Sequence, residues 1–157
     1  MSNRLVDELR LGLASLDEIC EHMAPLLELT PADDTDAIHA AAASAMLHSV
    51  YTEVEKMLKR IALECDGHMP DAAAWHKELL NQIAQSTPTR PAVFSLPLVE
   101  SLSEYLAFRH LFRGASVVLM RWNKLAPLVA NVPGVQKAIH NEIEAFIAFL
   151  ESRETTN

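Results

Sequence analysis

Leu5, Leu9, Leu13, Leu16, Ile19, Met23 and Leu26 recur at steps of three or four. That spacing lines one side of an amphipathic helix, and a chain that opens this way must bury the stripe against other helices. Pro25 kinks or ends this first helix. Thr30-Pro31 then reads as a cap with proline at the first helical position, and Asp33, Asp34 and Asp36 favour the positive end of the helix dipole. A long second helix follows to about Asp66, where Gly67 fits a C-terminal cap. Pro70-Asp71 introduces a third helix containing AAAWHKELLNQIAQ.

The segment STPTRPAVFSLP, residues 86–97, holds three prolines and breaks the helical pattern. It reads as a loop and as the natural place for a flap. A fourth helix runs from about Leu98 to Trp122. A fifth, from about Gly134 to Ser152, carries Ile139, Ile143, Phe146, Ile147 and Leu150 on one side, and NKLAPLVANVPG between them suggests a short helical piece and a turn. The prediction is all-α: an up-and-down bundle of four to five helices in a single domain over residues 1–157, a length at which one core suffices. Only 4 glycines and a surplus of Ala and Leu agree with helices over strands.

Asp7 and Glu8 interrupt what a secretory signal would need, and no apolar run approaches membrane-spanning length, so a cytoplasmic location is expected. Cys20 and Cys65 lie outside any Cys-x-x-Cys pattern and signal neither a disulfide framework nor a thiolate metal site. A formal charge of −8 repels phosphates over most of the surface, so any RNA contact must be a local patch.

Seven histidines and 21 acidic residues invite a metal reading. A di-iron bundle requires two Glu-x-x-His pairs and two further carboxylates facing inward. The nearest match is one Asp36-x-x-His39, and His140 with Glu144 is an isolated same-face pair, so no metal and no cofactor is expected. His22, His39 and His140 belong on helix surfaces and His68 near a helix end. Trp75-His76, with Leu79 and Leu80, reads as a core anchor with a half-exposed imidazole. No Gly-rich phosphate loop or nucleophile elbow appears.

The fourth helix carries FRHLFRGAS. Arg109 and Arg113 share a face, as do His110 and Gly114, because an i to i+4 step brings side chains about one turn apart. Two guanidinium groups on an acidic chain make a candidate phosphate clamp. The alternative is that both pair with Glu100, Glu104 or acids on neighbouring helices.

At these residues the chain resembles the HEPN superfamily, in particular the HepT-like ribonuclease toxins of bacterial toxin-antitoxin pairs. The likeness spans about residues 45–152, through HSVYTEVEKMLKRIALECDGHMP, WHKELLNQI and SLSEYLAFRHLFRGAS. It implies a homodimeric helical bundle acting as a metal-independent endoribonuclease on single-stranded RNA, paired with a nucleotidyltransferase antitoxin. The family signature is Arg, four to six residues, His, and often Tyr two positions later. The imidazole moves protons at the ribose 2′-hydroxyl and the leaving oxygen, and Arg stabilises charge on the phosphorane.

Arg109 matches the motif arginine, but Gly114 stands where the histidine belongs and Ser116 at the tyrosine position. The proton carrier of the motif is therefore missing, and Ser116 offers a nucleotidyltransferase only a hydroxyl of shorter reach. His110 lies on the same face as Gly114, about 6 Å earlier along the axis. The site expected on this basis is Arg109, His110 and Arg113, in an enzyme impaired or rewired through His110. The alternative is a catalytically inactive HEPN dimer that binds or scaffolds a nucleotidyltransferase.

Overall fold

A computed structural model describes residues 2–28, 36–114 and 121–155 of the chain. The helices are α1 (Ser2–Glu28), α2 (Ala37–Ile61, prolonged by one π-helical turn, Ala62–Asp66), α3 (Trp75–Ile83), α4 (Leu96–Gly114) and α5 (Trp122–Glu154). Among the described residues there is no strand beyond an isolated bridge between Thr87 and Arg90. No described helix is long and apolar enough to cross a membrane.

The opening stripe of α1 packs inward as its spacing demands. Leu5, Leu9, Leu13, Leu16 and Met23 are buried, and Ile19 and Leu26 lie against them. Pro25 stays inside the helix, which runs on to Glu28. Arg60 reaches Glu8 at 2.9 Å and Arg10 reaches Glu151 at 2.8 Å, so α2 and α5 both run antiparallel to α1. Gly12 permits close approach: a Cβ built there would meet Met57 Cγ of α2 at 2.5 Å. Tyr105 Oη donates to the Leu128 carbonyl at 2.7 Å, and Glu142 accepts from the Ser95 amide at 2.8 Å, setting α4 antiparallel to α5. The up-and-down bundle expected from the sequence is the architecture observed, with α2 touching every other helix.

Several boundaries differ from the sequence reading. Thr30-Pro31, with Asp33 and Asp34, lies outside the described residues. The cap observed on α2 is Asp36, whose Oδ1 accepts from the His39 amide at 3.1 Å and whose Oδ2 meets His39 Nδ1 at 2.7 Å. The one Asp-x-x-His pair that resembled metal spacing is thus a helix cap. At the other end Gly67 closes the π turn with φ of 73°, a left-handed conformation that glycine adopts without a Cβ penalty. Helix α3 begins at Trp75, four residues after Pro70-Asp71.

Two larger corrections concern proline. Helix α5 is continuous from Trp122, with Pro127 and Pro133 inside it, where a short piece and a turn were expected. Each proline removes one backbone donor, and burial of Leu125, Val129, Val132 and Val135 along the same stretch offsets that loss. The proline-rich loop is a pinned strap, not a flap. Arg90 turns inward from it, only 3 % exposed, and forks onto Asp66 through Nε (2.8 Å) and Nη2 (2.7 Å). It also donates to the carbonyls of Gln82, Gln85 and Pro91, so one side chain caps α3 and fixes the strap. Burial alone would raise the Asp66 pKa, but hydrogen bonds from Arg90 and Gln82 and the Arg90 charge hold it below the usual carboxylate range.

Candidate functional site

Helices α2, α3 and α4 converge on a buried carboxylate. Glu55 follows Tyr51 and Val54 on the inward face of α2 and is 3 % exposed. An ionised carboxyl at such a position must find partners. Helix α3 supplies His76, whose Nδ1 meets Glu55 Oε2 at 2.5 Å. Helix α4 supplies Arg109, whose Nη1 lies 3.3 and 3.4 Å from the two Glu55 oxygens. Lys59, one turn along α2, stands 3.7 Å from Oε1.

The geometry assigns the proton. A carboxylate only accepts, so the His76–Glu55 bond needs hydrogen on Nδ1. Arg109 Nη1 is also 3.0 Å from that nitrogen, but a guanidinium only donates, so its hydrogens serve the Glu55 oxygens and the approach to the ring is a contact. In the neutral ring, a proton on Nδ1 leaves the lone pair on His76 Nε2. Trp75 stacks on the imidazole at 3.6 Å between centroids, and the ring of His110 stands edge-on to it at 5.7 Å. Lys59 Nζ covers the Trp75 ring at 4.4 Å. Neighbours on several sides therefore hold the imidazole.

Arg109 is less completely bound than its burial suggests. Its side chain is 14 % exposed, and its Nε is buried with no hydrogen-bond partner among the described residues. Tyr51 lies under the guanidinium, with Arg109 Cζ 6.0 Å from the ring centroid, and its hydroxyl is likewise buried without a partner. Burial, reinforced by the Glu55 charge and opposed by Arg109, holds the Tyr51 hydroxyl far above its ordinary pKa, so it remains a phenol.

Of the site residues expected from the sequence, Arg109 and His110 come together, and His110 is exposed beside the buried cluster. Arg113 and Gly114 form the last turn of α4, and Ser116 lies outside the described residues. The acid that meets Arg109 is on a neighbouring helix, neither Glu100 nor Glu104. His76 needs correction: it is 7 % exposed, not half-exposed, and belongs to the polar cluster. Glu55 was missed altogether. Its signal was a charged residue on the apolar stripe of α2, one turn from both Tyr51 and Leu58.

Other candidates carry less. Among the described residues no group of His, Cys, Asp and Glu is arranged to hold a metal ion. A groove of about 530 Å³ between α1 and α5 is lined by Asp17, Cys20, Gln136 and His140, away from the Glu55 cluster. Its polar groups satisfy one another: Asp17 Oδ1 accepts from Gln136 at 2.8 Å and meets His140 Nε2 at 2.6 Å. Burial, then the Asp17 charge, pushes the Cys20 thiol up to about 11, which leaves it unreactive. Burial raises Cys65 as well.

The profile of HepT-like proteins matches residues 42–150, which takes in most of α2, all of α3 and α4 and most of α5, and therefore every member of the Glu55 cluster. No curated protein and no solved structure matches the chain. With a match over more than half its length and an all-helical bundle of the corresponding type, the chain belongs to the HepT-like family of the HEPN superfamily.

Proposed function

We propose that this protein is the toxin-type member of a toxin-antitoxin pair and acts as a metal-independent endoribonuclease, cutting single-stranded RNA in the cytoplasm through a site rewired around Arg109. The observation that carries the reading is the meeting of Arg109 with His76, whose ring in turn meets that of His110, in a chain whose motif position is Gly114. Arg109 binds the scissile phosphate and stabilises the charge that builds on it. His110, exposed at the edge of the cluster, carries protons, the role for which imidazole is suited near neutral pH. Action as a homodimer is the general habit of HEPN domains and is part of this reading.

The test is incubation of purified protein, with chelator present, with a panel of single-stranded RNAs. The expected result is fragments ending in 2′,3′-cyclic phosphate, lost in both Arg109→Ala and His110→Ala. No cleavage by folded protein across the panel would reject the reading. A second reading has its own support in Gly114 and in the Glu55 carboxylate that already meets Arg109. It makes the chain an inactive HEPN dimer that binds or scaffolds a nucleotidyltransferase antitoxin.

A further inference from the structure

A site with Arg109 and His110 has one exposed imidazole, whereas transesterification at a ribose phosphate needs one group to remove a proton and another to supply one. We infer that His76, oriented by Glu55, is the second proton carrier of this site, in place of the side chain that Gly114 lacks. The inference depends on the ribonuclease reading.

Three observations converge on it. The Glu55 carboxylate approaches His76 more closely than any other partner: 2.5 Å to Nδ1, against 3.3 Å to Arg109 and 3.7 Å to Lys59. A carboxylate placed this way fixes the tautomer and stabilises the imidazolium that forms when the other nitrogen takes a proton, as in a Ser-His-Asp triad. Second, the ring cannot swing freely, being stacked on Trp75 and bounded by His110. Third, Arg109 Nη1 is 3.0 Å from the ring, so an anion drawn to that guanidinium arrives beside the imidazole. Arg109 Nε, buried and without a partner among the described residues, is a further donor at this point.

The reaction balances within one protomer. His76 Nε2 accepts the 2′-hydroxyl proton as the 2′-oxygen bonds to phosphorus. The bond from phosphorus to the 5′-oxygen breaks, and protonated His110 gives its proton to that oxygen. The products are a 2′,3′-cyclic phosphate and a 5′-hydroxyl, with one proton moved from substrate to His76 and one from His110 to product. Solvent resets the two rings. Glu55 accepts the hydrogen of His76 Nδ1 throughout and is a positioning residue.

The experiment compares wild type, His76→Asn, His76→Ala and Glu55→Gln in single-turnover cleavage of labelled RNA from pH 5 to 9, with folding checked by circular dichroism and RNA binding measured separately. Loss of a proton carrier lowers cleavage by roughly a hundredfold or more. Both His76 variants should show this loss with binding retained, and added imidazole should restore part of the activity of His76→Ala. Glu55→Gln should lose less and shift the acidic limb of the pH profile, the limb set by the base that Glu55 orients. Nitrogen-15 spectra of the wild-type rings give a reading free of mutation: His76 should carry its proton on Nδ1. His76 variants that cut RNA within a few-fold of wild type while Arg109→Ala is inactive would overturn the role of His76 and leave the ribonuclease standing. An Nε2-protonated His76 would overturn it as well. Wild type that binds but never cuts RNA would remove both.

Discussion

Arg90 and Arg109 each leave water to meet a carboxylate on α2 or its final turn, yet they use their donors very differently. Arg90 spends all three side-chain nitrogens, forking onto Asp66 and capping carbonyls of Gln82, Gln85 and Pro91. Arg109 gives Glu55 only Nη1, at 3.3 and 3.4 Å, and keeps a buried Nε without a partner among the described residues. Buried polar groups are nearly always paired, because an unsatisfied one costs the desolvation of that group. The Arg90 centre therefore fastens a strap to a helix. The Arg109 centre retains unused bonding capacity, which suits a group that must receive a ligand.

The largest expected effect is on the closed centre. Arg90→Ala leaves the Asp66 carboxylate buried without its cation, with Gln82 as its remaining side-chain donor among the described residues, and breaking such a pair costs about 3–5 kcal/mol, read as a lower urea midpoint. Arg109→Ala should cost only about 1.5 kcal/mol, because Glu55 keeps His76 and Lys59 and the lost bonds are long. Equal losses in the two variants would break the comparison. Gly67→Ala sharpens it on the Asp66 side: nothing lies within 4 Å of the new Cβ, so only the positive φ is strained, for about 1 kcal/mol. A loss well beyond that would show that the turn also orients Asp66.

The smallest effect is on pH. The folded Asp66 pKa lies below its ordinary value of 3.8, so its contribution to stability is present above that value and fades as pH falls through the folded pKa. Arg90→Met should flatten that acid limb in urea melts between pH 5 and 2. An unchanged limb would show that Arg90 does not depress Asp66.

Much of the fold was legible because it is written in local spacing. The apolar stripes of α1 and α5 and the Gly67 cap need only neighbours in sequence. Pro127 and Pro133 misled because their cost is local while the burial that offsets it is tertiary. The strap was opaque for a similar reason, since nothing adjacent to Arg90 announces that it will reach back 24 residues to Asp66. At the site, the family motif leads to Arg109, but its partners come from α2 and α3, 54 and 33 residues away in sequence. Glu55 and His76 did leave a trace, as ionisable residues on faces otherwise filled by Tyr51, Leu58, Leu79 and Leu80.

The stacking of Trp75 on His76 gives the protein an optical gauge of its own site. An imidazolium quenches an indole it touches more strongly than a neutral imidazole does, so the emission of Trp75 follows the charge on His76 while the chain remains folded. Trp122 is the one other tryptophan in the sequence, so Trp122→Phe would leave a single emitter. Its brightness should then follow proton uptake by the His76 ring in real time, with no dye attached.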